Sequence, residues 1–225
     1  PTPVGFICFV SLGYSTYLGG GNPSDAAYAI ALGPEGEAYV TGTTLSTAFP
    51  TLNPYQSTQS AIPASQDVFL AAVSSSGSSL VFSTYLGGTR EESGRAIRLD
   101  SELCPYLAGD TWSNDFPTID PLQASLNNAL GSYLDAFAVK FSSSGSSLVF
   151  STYLGGVNQD QALAIEVDGE RRIVLGGFTR SSNFPPQNPY QPSLAGSTAS
   201  DAFAARLRRG RRRFGVRSRA VVAVA

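Results

Sequence analysis

Ser15-Thr-Tyr-Leu-Gly-Gly20 decides the fold, because the same six residues return at 83–88 and again at 151–156. Successive copies are 68 residues apart in both cases. A Phe-Pro pair and an Asp-x-Phe triplet also occur at the corresponding place in every copy: Phe49-Pro50, Phe116-Pro117 and Phe184-Pro185, then Asp67-Val-Phe69, Asp135-Ala-Phe137 and Asp201-Ala-Phe203. A fixed period of this length indicates one structural unit that is repeated three times.

Each unit has the pattern of four short β-strands, which in the first unit are residues 26–32, 37–42, 67–73 and 80–86. The third strand alternates with a period of two, so we expect its apolar face in the core and, in its later copies, Lys140 and Arg206 on the solvent face. Serine-rich turns ending in Gly77 and Gly145 lead into the fourth strand. The sequence therefore predicts an all-β fold.

A four-stranded unit of this length is typical of a β-propeller blade. A coil of a β-solenoid is the alternative, although solenoid coils repeat at shorter periods, about 20–29 residues in leucine-rich arrays. Four motifs, namely Tyr-Leu-Gly-Gly, Ala38-Tyr-Val-Thr-Gly-x-Thr44, Phe-Pro and Asp-x-Phe, together resemble the bacterial SBBP repeat across residues 11–207. The SBBP repeat is named for its proposed seven-bladed β-propeller. The resemblance implies a secreted or cell-envelope protein with a scaffold or binding role, and it carries over no catalytic residues.

The repeat also divides the chain. Residues 1–14 are expected to be the end of a preceding blade, residues 15–82, 83–150 and 151–207 are three blade repeats of which the last is incomplete, and residues 208–225 form a divergent Arg-rich tail. Closed propellers have about 4–8 blades, so we expect three blades to form a partial or open propeller. Its open faces would be covered within a longer parent protein or by self-association that closes the propeller.

The composition excludes several classes of site. The 225 residues contain no His, which excludes Ser-His-Asp and Cys-His catalysis and His-ligated zinc. Cys8 and Cys104 lie at different positions of the repeat and are expected to be isolated thiols. No apolar run approaches the roughly 20 residues that span a membrane, and no signal peptide is recognisable. The prediction is no catalytic residue, no metal site and no cofactor.

Two sets of acids recur in the repeat, and each allows a functional and a structural interpretation. Members of the first set could ligate calcium, but the small number of carboxylates in each unit favours turn formation or capping of a strand end. Members of the second set open a strand in every unit, and we expect them to hydrogen-bond the backbone of a neighbouring blade. The first set is Asp25, Glu92 and Asp160, and the second is Asp67, Asp135 and Asp201.

Two other local patterns resemble catalytic motifs only in part. Glu91 and Glu92 are adjacent, so on a strand they point to opposite faces and are poorly placed to flank one glycosidic bond. The Gly-Gly pairs lack the lysine and the following helix of a phosphate-binding loop. We interpret these glycines as turn residues with positive φ: Gly19, Gly20, Gly21, Gly87, Gly88, Gly155 and Gly156.

Trp112 is the one candidate binding residue. The corresponding position holds Leu45 in the first unit and Arg180 in the third, so the side chain changes on a constant frame. Trp and Arg are enriched at binding hot spots, and a tryptophan here could stack on a sugar or anchor a protein. The alternative is that Trp112 packs beneath its own loop.

The charge is unevenly distributed, because residues 206–225 hold eight Arg and no acid. This tail is either a basic arm that binds nucleic acid or an anionic surface, or it is a divergent end of the repeat. Because only one aromatic residue lies among the arginines, nucleic acid is the weaker prediction. The leading prediction is a non-catalytic scaffold of an extracellular or cell-envelope bacterial protein that binds a protein or glycan. The alternatives are a polysaccharide-acting hydrolase or lyase, or nucleic-acid binding through the tail.

Overall fold

A computed structural model describes residues 11–21, 24–59, 65–127, 132–196 and 199–208. Every regular element in these ranges is a β-strand, which confirms the all-β prediction. No helix that could cross a bilayer occurs in this part of the chain. The strands are β1 (Asp25–Leu32), β2 (Ala38–Thr44), β3 (Asp67–Val73), β4 (Leu80–Leu86), β5 (Glu92–Leu99), β6 (Pro105–Thr111), β7 (Asp135–Phe141), β8 (Leu148–Leu154), β9 (Asp160–Val167), β10 (Ile173–Thr179) and β11 (Asp201–Leu207).

The strands form three antiparallel sheets in which neighbours in sequence are also neighbours in space: β1-β2-β3-β4, β5-β6-β7-β8 and β9-β10-β11. The register is the same in each sheet, since a glycine of the second strand lies opposite the phenylalanine of Asp-x-Phe. These pairs are Gly42 and Phe69, Gly109 and Phe137, and Gly177 and Phe203. The sheets are therefore equivalent blades, and the fold is a partial, open β-propeller.

Glycine sets the hairpin between the third and fourth strands. Gly77 has a φ of 71° and donates its N–H to the Ser74 carbonyl at 2.8 Å, and Gly145 has a φ of 70° and bonds Ser142 at 2.9 Å. Glycine enters this left-handed region without the steric cost that a side chain imposes. The Ser-Ser-Ser-Gly sequence thus fixes the turn that pairs β3 with β4 and β7 with β8.

The blades stack face to face, with β1, β5 and β9 in contact in that order. In the middle blade, Phe137 and Val139 belong to the core shared with the first blade. Ala136 and Ala138, on the opposite face of β7, belong to the core shared with the third. The two faces of β7 therefore pack in two separate cores, one with each neighbouring blade.

This stacking corrects the prediction of a half-buried third strand. Every residue of β7 is buried, and Lys140 is only 7% exposed although the sequence places it on a solvent face. The reason is that a stacked blade has a neighbour on both sides. Arg206 on β11 is exposed, as predicted, and β11 alternates between exposed and half-buried residues.

The sheets are offset from the sequence repeats. The first sheet runs from Asp25 to Leu86 and the second from Glu92 to Leu154. Repeat boundaries at residues 83 and 151 therefore fall inside the last strand of a sheet. As a result, the Ser-Thr-Tyr-Leu-Gly-Gly motif closes one blade and leads into the next.

Candidate functional site

The first set of recurring acids lies at the joints that lead into each blade, at the first residue of β1, β5 and β9. Glu92 illustrates the arrangement: Thr111 Oγ1 donates to its Oε1 at 2.7 Å, and Gly88 N donates to its Oε2 at 3.2 Å. Equivalent bonds run from Thr44 and Gly20 to Asp25 and from Gly156 to Asp160, and Asp160 also accepts from Ser181, two residues after the end of β10. These acids tie the link between blades to the end of the second strand, which confirms their interpretation as caps of a strand end.

The Gly-Gly pairs have a different role from the one predicted. The left-handed interpretation is wrong for six of the seven glycines, which do not have a positive φ: Gly19, Gly20, Gly87, Gly88, Gly155 and Gly156. A Cβ atom on Gly87 would lie 2.6 Å from Asp67 Cγ and 2.6 Å from Glu92 Oε2. A side chain there would displace both carboxyl groups. Glycine is required by this close approach, whereas Gly21, with a φ of 93°, does have the predicted conformation.

Each joint also brings two carboxyl groups together from adjacent blades. Asp67 and Glu92 are 0% and 1% exposed, and Asp135 and Asp160 are both 0% exposed. Burial raises the pKa of Glu92 to about 8, and the nearby Asp67 charge adds to the effect. Burial likewise raises the pKa of Asp135 to about 7, with a further contribution from Asp160. Both pKa values are therefore raised into the neutral range.

The second set of acids bonds within its own blade. Gln123 Nε2 donates to Asp135 Oδ2 at 2.7 Å, and Gln191 Nε2 donates to Asp201 Oδ2 at 2.6 Å. The Gln56 amide bonds Asp67 in the same way, at 3.1 Å. The prediction that these acids bond the backbone of a neighbouring blade is therefore wrong for these contacts. The recurring glutamine is the partner, because the long loop folds back over the start of the third strand.

The structure places the Trp112 position at the same end of the blades as these acids. The backbone N–H of Leu45, Trp112 and Arg180 donates to the carbonyl of the residue before each recurring acid, at 3.1, 2.9 and 2.8 Å respectively. Leu45 and Trp112 are half-buried and Arg180 is exposed. Three different side chains therefore leave three blades from one backbone frame.

A polar cluster on the innermost strands was missed by the sequence reasoning. Arg95 Nε bonds Asp110 Oδ1 at 2.9 Å, and the Arg95 guanidinium lies 5.2 Å from the centre of the Tyr28 ring. Tyr28 and Arg95 occupy irregularities in the pairing of β1 with β2 and of β5 with β6. A bulge re-aims the extra residue, and simple alternation along the sequence does not reveal it.

A second polar cluster lies at the opposite end of the middle blade. Lys140 Nζ bonds Asp100 Oδ2 at 2.8 Å, and the Tyr106 hydroxyl donates to the same oxygen at 3.2 Å. Asp100, Glu102 and Cys104 place three potential ligand atoms within 4.8 Å of one another. However, Lys140 already neutralises Asp100, and the lysine holds the pKa of Asp100 below its ordinary value despite burial. The Lys140–Asp100 ion pair joins β7 to the turn after β5, and Arg171 of the third blade also contacts Asp100 and Glu102.

Two predictions concern cysteine and the basic tail. Cys104 is a buried free thiol, as expected. Burial raises the pKa of Cys104, which makes the thiol less reactive. Cys8 and the arginines of residues 209–225 lie outside the described residues.

Equivalent four-stranded units stacked through shared cores define a β-propeller repeat protein. The family model described as the SBBP beta-propeller repeat matches residues 13–50, which include β1 and β2. These residues are an SBBP beta-propeller repeat, as the resemblance predicted, and the later blades are structural copies of the same unit. No curated protein matches the chain.

Proposed function

We propose that this chain is a non-catalytic scaffold that presents side chains at one end of its blades to a glycan or protein ligand. The observation that carries the proposal is the common backbone bond at Leu45, Trp112 and Arg180. A repeated frame with changing side chains suits recognition, because each blade contributes a different contact from a rigid position.

Trp112 is the central contact in this proposal. Its backbone N–H donates to the Glu91 carbonyl at 2.9 Å, and its side chain is half-buried. The exposed neighbours in sequence include Arg90, Glu91 and Asn114. A half-buried aromatic side chain with exposed charged and amide residues nearby in the sequence is suited to contact a sugar ring or a peptide side chain.

The acids of the blade joints support a non-catalytic role. A glycosidase needs two carboxyl groups that reach opposite sides of one bond. Glu92 and Asp160 are buried and accept hydrogen bonds from backbone and hydroxyl donors, and Asp110 is paired with Arg95. Glu91 is exposed while Glu92 is buried, which confirms that these neighbours point to opposite faces.

The proposed location is outside the cytoplasm, in the envelope or the medium of a bacterial cell, and it rests on the resemblance to SBBP proteins. Protease treatment of intact producing cells tests this location. Digestion of the chain, or its recovery in the medium, supports the proposal. Protection both in intact cells and after the outer envelope is opened, with digestion only once the cytoplasm is released, contradicts it.

Binding is tested with a glycan array and a peptide library probed with the full chain, with Trp112→Ala and with Leu45→Ala. We expect a ligand whose affinity falls at least tenfold in Trp112→Ala and by a smaller factor in Leu45→Ala, because leucine offers the ligand a smaller contact than tryptophan. The proposal is contradicted by a ligand that binds Trp112→Ala as well as the unmodified chain. It is also contradicted by turnover of a polysaccharide that Asp110→Asn abolishes.

A further inference from the structure

Residues 12–18 have the sequence of a fourth strand but belong to none of the three sheets. Leu12-Gly-Tyr-Ser-Thr-Tyr-Leu18 has the same residue as Leu80-Val-Phe-Ser-Thr-Tyr-Leu86 at five of seven positions. In the structure residues 12–18 pair with no strand, and the Tyr17 side chain is fully exposed, at 103%. The corresponding tyrosines of β4 and β8, Tyr85 and Tyr153, are 1% and 0% exposed.

The segment 12–18 nevertheless lies where the fourth strand of a preceding blade would lie. The ring of Tyr14 is in the space that a Cβ atom on Gly77 would need. One blade further on, the Phe82 ring of β4 occupies the same space at Gly145. Tyr14 therefore contacts the first blade in the way that Phe82 contacts the second, without the other strands of a blade beside it.

The third blade has the complementary deficiency. Within the described residues β11 pairs with β10 alone, whereas β3 and β7 each have a strand on both sides. In the second blade the Phe116 ring lies 4.8 Å from Phe137 and 5.9 Å from Tyr153 of the fourth strand. In the third blade Phe184 and Phe203 form the equivalent pair at 4.7 Å, and both are half-buried. Within the described residues, no side chain takes the place that Tyr153 has in the second blade.

We propose that residues 12–18 of one chain add to β11 of a second copy of the same chain, as the fourth strand of its third blade. The register follows from the complete blades, in which Phe69 pairs with Tyr85 and Leu70 with Thr84. At the composite sheet, Tyr17 of one copy lies opposite Phe203 of the other, and Thr16 lies opposite Ala204. An added strand supplies main-chain hydrogen bonds to an exposed sheet edge.

The loop of the third blade already has the groups that hold a fourth strand. In the second blade Thr152 Oγ1 accepts from Gln123 N at 2.9 Å, and Gln123 Oε1 accepts from Gly155 N at 3.0 Å. Gln191 is the corresponding glutamine, and it is held by Asp201 as Gln123 is held by Asp135. In the composite blade Gln191 bonds Thr16 and Gly19 of the second copy.

A second copy is favoured over the same chain because residues 12–18 lie against the first blade and do not reach β11 in the single chain. Within the described residues, each chain brings two four-stranded blades, the three strands of a further blade, and one segment to exchange. Two chains thus make six blades, which is the multiple of three that falls within the range of about 4–8 known for closed propellers. Mutual exchange closes the ring and leaves no sheet edge of this kind open.

The first test is the mass of the full chain in solution, measured by light scattering over a range of concentrations. We expect a discrete dimer, and at least a tenfold weaker dimer for Tyr17→Ala. Leu122→Ala is the control, because Leu122 is also exposed, at 68%, and lies on the middle blade, away from the proposed strand and from β11. A monomer at all concentrations overturns the proposal, and so does a dimer that Tyr17→Ala does not weaken.

The second test is a disulfide between two differently substituted chains in which Cys8 and Cys104 are replaced by alanine. Chains carrying Thr16→Cys and Ala204→Cys are mixed and oxidised, and we expect the heterodimer to cross-link. Ser15→Cys mixed with Ala204→Cys is the control, because adjacent residues of a strand point to opposite faces. Equal cross-linking in both mixtures, or none in either, overturns the proposed register. Neither test depends on Trp112, so failure here is distinguishable from failure of the proposed binding function.

Discussion

Thr111 Oγ1 donates a 2.7 Å hydrogen bond to Glu92 Oε1 and so connects the end of β6 to the start of β5. The same carboxyl group receives the N–H of Gly88 from the link that leaves the first blade. One buried acid therefore fixes both the sheet of its own blade and the path of the chain into it. The arrangement recurs at Asp25 and Asp160, so the connections into the blades are repeated as well as the strands.

The joint predicts a pH dependence of stability. The pKa of Glu92 is about 8 in the folded protein, against an ordinary value of 4.5. Between these values the unfolded chain has released a proton that the folded protein still holds. The contribution of Glu92 to the free energy of unfolding therefore falls as the pH rises from about 4.5 to 8, by up to about 1.4 kcal/mol for each pH unit.

This dependence is measured by urea unfolding of Glu92→Gln and the unmodified chain between pH 5 and 8.5. We expect the unfolding free energy of Glu92→Gln, relative to that of the unmodified chain, to rise by more than about 1 kcal/mol from pH 5 to pH 8.5. Glu91→Gln is the control, since Glu91 is exposed and adjacent. If this difference in unfolding free energy stays constant with pH, the raised pKa of Glu92 is contradicted.

Gly87→Ala is expected to destabilise the protein. The added methyl group meets the carboxyl groups of Asp67 and Glu92, and overpacking of this kind costs about 1–3 kcal/mol. Gly169→Ala is the matched control, because a Cβ atom there meets nothing within 4 Å. Thermal unfolding of both variants measures the effect. Equal melting temperatures would show that the close approach at Gly87 is not required.

The Lys140–Asp100 ion pair is expected to be costly to break from one side. Both side chains are buried, at 8% and 2% exposure, so Asp100→Asn leaves an uncompensated ammonium group and costs about 3–5 kcal/mol. Glu166→Gln removes the partner of Arg98 from an exposed pair and costs less than about 1 kcal/mol. Denaturant unfolding at pH 7 ranks the two. If Asp100→Asn lowers the unfolding free energy as little as Glu166→Gln does, the claim that Lys140 and Asp100 form a buried ion pair is contradicted.

The hydroxyl of Tyr85 is expected to stabilise the first blade. It donates to the Ser46 carbonyl at 2.7 Å and accepts from Phe49 N at 2.9 Å. Tyr85→Phe leaves both groups without this partner and costs about 1–3 kcal/mol. Tyr190→Phe, at a fully exposed site, is expected to change the unfolding free energy by less than about 0.5 kcal/mol. Equal effects of the two substitutions would contradict the role of the hydroxyl.

The strands were predictable because short-range signals agree with one another. Serine-rich turns that end in Gly77 and Gly145 bound each hairpin, and three copies of one pattern confirm each boundary. The predicted strands at residues 26–32 and 80–86 differ by at most one residue from β1 and β4. A repeat supplies three independent examples of the same local structure, which a single domain does not.

The environment of individual side chains was less predictable, because it depends on the neighbouring blade. Lys140 has the alternation of a solvent-facing residue, but the third blade covers that face and Asp100 supplies the compensating charge. The partnership of Arg95 with Asp110 depends on a bulge that leaves no mark in a period-two pattern. The requirement for Gly87 comes from carboxyl groups on two different blades. All three are contacts between segments that are distant in sequence.

The central claim is that the repeated sequence forms equivalent blades, and that the third strands of the first two blades, β3 and β7, are buried on both faces. Hydrogen–deuterium exchange of the full chain, followed by mass spectrometry, tests it most directly. The structure predicts that β3 and β7 exchange most slowly and at similar rates, because each is bonded on both sides and buried throughout. The turns at residues 74–79 and 142–147 are expected to exchange rapidly. Exchange of either strand as fast as these turns would contradict the account.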